Sequence, residues 1–214
     1  MCKSALIVVD LQHDFLPGGP VPTLEKGIVD VISELVTSGK FDLTVASQDW
    51  HPQGHISFAS AHNKQPGQSV TVDGYTYQLF VQHCLQHSQG AEMPHELQQH
   101  TFDRIVRKGK DLDDECFSAF ASVQKRTDTG LEGFLKKHCV QQVYITGVTL
   151  EQCVKQTALD AMQADFKTFI ITDACAPVDP RAEQATLQQL QALGAHLIES
   201  DKVAASCNVE HSGF

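Results

Sequence analysis

The stretch "ITGVTLEQCVKQTALDA", residues 145–161, puts a cysteine where a helical pattern begins. A short apolar run ends at Gly147, and Cys153 falls in the first turn after it. Thr149-Leu150-Glu151-Gln152 fits a capping box, with Thr149 as N-cap and Gln152 reaching back to it. The unsatisfied N–H groups and the positive dipole end of such a turn favour thiolate over thiol at Cys153. The same N–H groups suit an oxyanion formed when sulfur attacks a carbonyl. Glu151 opposes thiolate formation if it points inward. The competing role for Cys153 is a small apolar residue packed on a sheet.

A nucleophilic thiol needs a proton acceptor. "ALIVVD" ends an apolar run on Asp10, and a carboxylate there costs several kcal/mol unless it is paired. Lys108, just after "RIVR", offers the pairing charge. In an Asp–Lys–Cys cluster the carboxylate takes the thiol proton, and the ammonium holds and orients the anion. Taken singly, Asp10 also fits a cap or turn, and Lys108 a solvated lysine before Gly109.

A second chemistry is written in "SQDWHPQGHISF". Asp49 and His51 are two apart, so an extended backbone points both the same way. A carboxylate and an imidazole on one side suit a divalent ion such as Zn²⁺ or Mn²⁺. His55, four residues on, and His83 in "FVQHC" are further candidates; His62, His87, His95 and His100 read as surface residues of a Gln-rich segment. Three protein ligands plus water is the pattern of a catalytic metal. Cys84 reads as a packed thiol. "CAPVDPR", Cys175–Arg181, has the C-x₅-R shape of a phosphate loop. Such a loop needs successive N–H groups aimed at the anion. Pro177 and Pro180 remove two, and Asp173 and Asp179 add repulsion, so a strand-to-helix turn is expected.

These groups need a scaffold. "ALIVV" (Ala5–Val9), "LTVA" (Leu43–Ala46), "RIVR" (Arg104–Arg107), "VYIT" (Val143–Thr146), "TFIIT" (Thr168–Thr172) and His196–Ile198 read as short buried strands. Helical patterns cover Lys26–Thr37, Leu131–His138, Leu150–Gln163 and Ala182–Leu193. Residues 50–100 read as a long functional excursion with short helices. Strands alternating with helices predict an α/β fold: one domain over residues 1–214, a doubly wound, mostly parallel sheet with helices on both faces, and a short tail from about Ser206. Ligands of such sheets bind beyond the carboxyl ends of the strands. Asp10, Asp49, His51, Lys108 and Cys153 all follow strands.

The net charge of −10 argues against nucleic acid, anionic membranes and anionic substrates, and suits a small neutral substrate. No run approaches the roughly 18 apolar residues of a membrane span. Seven scattered cysteines without C-x-x-C pairs, and no secretory signal, predict free thiols and a cytoplasmic location.

Together the motifs resemble the isochorismatase-like cysteine hydrolases, and within them the nicotinamidase (pyrazinamidase) group, from about Ala5 to Leu197. The resemblance rests on "ALIVVDLQHDFLPGG", "ASQDWHPQGHISFAS", "QHCLQHSQGAE", "KGKDLDDECFSAF" and "GVTLEQCVKQTALDA". It implies hydrolysis of nicotinamide to nicotinate and ammonia through a cysteine thioester, in NAD salvage. Asp10 would be the base and later the acid, Lys108 would stabilise charge, and Cys153 would be the nucleophile. Asp49, His51 and His83 would hold one divalent ion: Zn²⁺ first, with Mn²⁺ or Fe²⁺ also suited to that set. The N–H groups of Thr149 and Cys153 would form the oxyanion hole, after a cis Val148–Thr149 peptide, and Phe15 would pack on the pyridine ring. Phe80 stands where the family often has Trp, as a ring-stacking wall. Other departures are Glu151 for the common Asp, Glu115 as the acidic residue before "FSAF", and Ala164-Asp165 for a helix-ending Gly. A relative acting on another small amide, ureido or vinyl-ether substrate, or an inactive metal-binding scaffold, stays open at this point. So do the oligomeric state, a homo-oligomer included, and the place of His55.

Overall fold

Strict alternation along one buried strand sets the architecture. In β1 (Lys3–Val9), Ala5, Ile7 and Val9 face one side and Leu6 and Val8 the other, all fully buried. The computed structural model describes residues 2–24 and 27–203. After β1 come α1 (Ile28–Thr37), β2 (Leu43–Asp49), β3 (Ser69–Val72), β4 (Tyr75–Gln78), the single turn α2 (His95–Gln98) and β5 (Arg104–Lys108). Then follow α3 (Leu131–Lys137), β6 (Val140–Val148), α4 (Lys155–Gln163), β7 (Lys167–Ala176), α5 (Ala182–Ala192) and β8 (His196–Ile198). Six strands form one sheet in the order β5-β2-β1-β6-β7-β8, and every neighbouring pair is parallel. Ile28, Ile32 and Leu35 of α1 cover one face. Leu131 and Leu135 of α3, Ala158 and Ala161 of α4 and Leu190 of α5 cover the other. Each buried Leu or Ile contributes about 1.5–3 kcal/mol. This is the doubly wound sheet the alternation predicts.

The chain leaves β1 toward β2 and β5, then returns to add β6 on the other side of β1. That reversal opens a crevice at the carboxyl ends of the central strands. β6 approaches β1 closely there. Gly147 pairs with Val9 at a φ of 110°, and a Cβ on it would overlap the Val9 carbonyl oxygen.

Several elements differ from the sequence pattern. β2, β6 and β7 run past their apolar runs, because the parallel ladder continues through polar residues such as Ser47, Gln48 and Asp49. α1 begins at Ile28 after a left-handed Gly27; Lys26 lies outside the described residues. The expected helix from Leu150 is two pieces: a π-helical turn, Leu150–Val154, and then α4. The excursion after β2 holds an antiparallel hairpin, β3–β4, that helical reading missed. Its signal was Asp73-Gly74, both at positive φ (51° and 82°), between two β-rich tetrapeptides. Asp73 pairs with Arg126 at 3.1 Å, and the Tyr77 hydroxyl meets the Gln124 amide, which ties the hairpin to the segment after β5.

Cys84, Cys116, Cys139, Cys153 and Cys175 are free thiols. Cys207 and the tail from Ser206 lie outside the described residues. Among the described residues no helix is long and apolar enough to cross a membrane.

Candidate active site

Four strand ends converge on one lysine. Asp10 is the first residue past β1 and takes a left-handed φ of 48°. The β2–β5 register sets Asp49 directly beside Lys108. Lys108 Nζ lies 2.5 Å from Asp49 Oδ1, 2.8 Å from Asp10 Oδ2, 2.9 Å from the Cys116 carbonyl oxygen and 3.5 Å from Cys153 Sγ. Lys108, Asp10 and Cys153 are all buried.

Burial sets the charge states. It would pull the Lys108 ammonium down, but Asp10 and Asp49 outweigh it and hold the lysine well above its usual range. Burial pushes the Asp10 carboxyl up to about 6 against the pull of Lys108. Burial acts the same way on Asp49, where Lys108 and His51 outweigh it and keep the carboxylate well below its usual range. Burial also drives the Cys153 thiol well above its usual value, and Lys108 does not reverse this. Burial thus acts against the thiolate that the helix start favours.

The capping box is corrected too. Thr149 is the N-cap, but its side chain caps nothing, and its Oγ1 is buried without a hydrogen-bond partner. The reason is the π-helical opening. The Thr149 carbonyl oxygen accepts from both Gln152 and Val154, which is not the α-helical spacing the box requires. The Val148–Thr149 peptide is cis, as the resemblance implies. Glu151 turns away from the sulfur and accepts the backbone N–H groups of Val178 and Asp179 at 2.9 and 3.0 Å.

Asp49, His51 and His83 form the second cluster, with one donor atom from each within 4.8 Å of the others. Asp49 and His51 share a side as their spacing predicts, while the intervening Trp50 packs under Arg107 at 3.9 Å. The second ring nitrogens orient the group as a metal set would require. His51 Nδ1 lies 3.0 Å from the Gly109 carbonyl oxygen, and His83 Nδ1 lies 2.9 Å from that of Val81. Each Nδ1 donates to its carbonyl oxygen, and each Nε2 faces Asp49 Oδ2, at 3.6 and 3.9 Å. Two imidazole nitrogens and a carboxylate oxygen so grouped could hold a divalent cation. His55 is placed apart from this trio. Its ring packs on His51 with centroids 4.2 Å apart, its Nδ1 meets Ser57 Oγ at 2.8 Å, and burial lowers its pKa to about 4.

Gly109 makes this geometry possible. Its φ is 61°, and a Cβ on it would overlap the His51 ring. Gly109→Ala is expected to weaken metal binding about 10- to 100-fold by displacing the carbonyl that orients His51. Titration of metal-free protein with Zn²⁺ checks this; unchanged affinity would refute the orienting role.

A cleft of about 510 Å³ joins the two clusters. Asp49, His51, His83, Thr149 and Cys153 line its floor, and Phe15, Phe80 and Phe117 its walls. Phe15 and Phe80 flank His83, with ring centroids 5.4 and 5.9 Å away. Sequence reasoning missed Phe117, Gln12 and Ser47. Gln12 clamps Asp49 by accepting its N–H and donating to its carbonyl oxygen, both at 2.8 Å. No local pattern distinguishes such a glutamine. The C-x₅-R stretch makes no phosphate loop: Cys175 is buried on β7, and the exposed Arg181 pairs with Asp179 at 2.9 Å.

Known proteins carry the same framework. The isochorismatase domain model matches residues 4–202. The nicotinamidase of Acinetobacter baylyi is 39% identical, with 94% of each chain covered. The solved Acinetobacter baumanii nicotinamidase/pyrazinamidase superposes with a TM-score of 0.88 at 37% identity, over 95% of this chain and 99% of that one. The Pyrococcus horikoshii pyrazinamidase, solved in complex with zinc, gives 0.77 at 32% identity, over 92% and 99%. Since the domain match runs from β1 to the end of the last strand and includes every residue of both clusters, this chain belongs to the isochorismatase family.

Proposed function

We propose that the protein hydrolyses nicotinamide to nicotinate and ammonia, a step of NAD salvage, by acyl transfer through Cys153. The observation that carries this is Lys108, whose buried ammonium touches the Asp10 carboxylate, the Cys153 thiol and Asp49 of the metal set. The similarity to nicotinamidases over nearly the whole chain supports the substrate.

The charge states fit a thiol–carboxylate pair. Asp10 Oδ2 takes the Cys153 proton as sulfur attacks the carboxamide carbon. Backbone N–H groups of Thr149 and Cys153 hold the oxyanion. Asp10 returns the proton to the amide nitrogen as the C–N bond breaks, and ammonia leaves a thioester. Asp10 then draws a proton from water, the water oxygen attacks, the C–S bond breaks and the sulfur regains its proton. Lys108 stays charged throughout and offsets whichever anion is present. Asp49, His51 and His83 would hold a divalent ion, Zn²⁺ first; when bound it supplies a Lewis-acid anchor for the pyridine nitrogen. Phe15 and Phe80 pack against the ring, and their burial of it excludes water from the reacting carbon.

Two measurements test this. Purified protein is expected to release ammonia from nicotinamide and to lose most of that activity on removal of metal by a chelator, with recovery on adding Zn²⁺. A folded, metal-loaded protein that releases no ammonia would sink the assignment. The pH profile checks the base. Asp10 must be ionised to accept the proton, so kcat/KM should rise with pH through about 6 and level off above it. A profile flat from pH 5 to 8 would exclude Asp10 as that base.

A further inference from the structure

Asp10 has two carboxylate oxygens, and they are not equivalent. Ser47, on β2, is buried and donates its hydroxyl to Asp10 Oδ1 at 2.7 Å. The same Oγ receives the Asp10 backbone N–H at 3.3 Å, and the Ser47 carbonyl oxygen receives it at 3.2 Å. Three contacts from one residue therefore hold both the left-handed backbone of Asp10 and the rotation of its carboxyl. Oδ2 is different. It is fully buried and pairs with the Lys108 ammonium at 2.8 Å. An oxygen of Asp10, an oxygen of Asp49 and Cys153 Sγ lie within 4.8 Å of one another. One oxygen is committed to the Ser47 hydroxyl, and the other is paired with the lysine that also contacts the sulfur.

We propose that Ser47 is a positioning residue that reserves Asp10 Oδ2 as the proton-carrying oxygen for Cys153, by occupying Oδ1. The inference rests on the acyl-transfer reading above. Ser47 is buried and its Oγ bonds to Asp10 at both the backbone N–H and the carboxyl, so it acts through Asp10. Without the hydroxyl, Oδ1 is a buried acceptor with no partner. The carboxyl then turns toward Lys108, or binds its proton on Oδ1, away from the sulfur. A misplacement of this kind costs on the order of 10²-fold in proton transfer.

The test compares wild type, Ser47→Ala and Ser47→Thr, the last keeping the hydroxyl. For Ser47→Ala, kcat/KM for nicotinamide is expected to fall on the order of 10²-fold, while the inhibition constant of nicotinate, which binds without proton transfer, stays within about threefold. Ser47→Thr is expected to recover most of the loss. An independent readout needs no turnover: the rate of iodoacetamide alkylation of Cys153, followed by mass spectrometry. It should slow in Ser47→Ala and recover in Ser47→Thr. Wild-type alkylation and kcat/KM in Ser47→Ala would overturn the proposal. Equal losses in both variants, with equal drops in Tm, would also overturn it and make Ser47 a packing residue. If the wild type hydrolyses no nicotinamide, the functional reading fails, and the alkylation series alone decides whether Ser47 directs Asp10.

Discussion

Cys153→Ala is expected to reduce ammonia release from nicotinamide by at least about 10³- to 10⁴-fold, because the bond-forming atom is gone while ring binding remains. Steady-state assays and quenched-flow mass spectrometry measure two sides of this. Wild type should show a protein adduct of the nicotinoyl group during turnover, and the variant none. The substitution removes one small buried atom and its 3.5 Å contact with Lys108. Cys153 is 4% exposed, and an alanine there leaves Lys108 with both of its carboxylates. Retained nicotinate affinity in the variant would separate lost chemistry from lost structure. Activity that survives the substitution would mean that sulfur is not the nucleophile, and water attack would have to replace the thioester.

Lys108→Met is expected to have the largest effect on stability. The lysine is 1% exposed and stands between two buried carboxylates at 2.5 and 2.8 Å. Removing one member of a buried charge cluster costs about 3–5 kcal/mol, since the remaining charges are left without compensation. For a chain of this length that corresponds to a drop in Tm of about 6–20 °C. The sign of its pH dependence follows from which charges are stranded. Without the ammonium, Asp10 and Asp49 rise in pKa above their unfolded values. The folded variant then gains stability relative to wild type as pH falls and both carboxylates take up protons, and the deficit is greatest at neutral pH. Thermal melts of both proteins from pH 5 to 8 check this. Adding Asp10→Asn to Lys108→Met should recover part of the loss, because one stranded charge is removed. A Tm within about 2 °C of wild type at pH 7 would mean that the cluster is hydrated or already protonated, and the electrostatic account would be wrong.

The sequence by itself determined the layered α/β class, from six short apolar runs spaced by helical patterns. It also marked every charged or ligating residue at the ends of those runs. Asp10, Asp49, Lys108 and Cys153 were visible because ligands of such sheets bind beyond the carboxyl ends of the strands, where all four fall. Asp49 and His51 were visible because extended backbone repeats every two residues. The hairpin turn at Asp73-Gly74 was legible and went unread.

Other features depend on contacts between segments far apart in the chain. The ionisation of Cys153 is one. A local pattern reports a helix start, but burial and the nearby Asp10 and Asp49 push the thiol up against that start and against Lys108. The π-helical turn that undoes the Thr149 cap is another, because it follows from how that turn packs over the strand ends. The residues alone left His83 and His55 as equal candidates, and the tertiary structure brings His83 to Asp49. Ser47 and Gln12 gave no sequence signal, since their value lies wholly in partners 37 residues away. Pattern registers which side chains are costly to bury. Only the tertiary structure supplies the partners and the dielectric that decide what each buried group does.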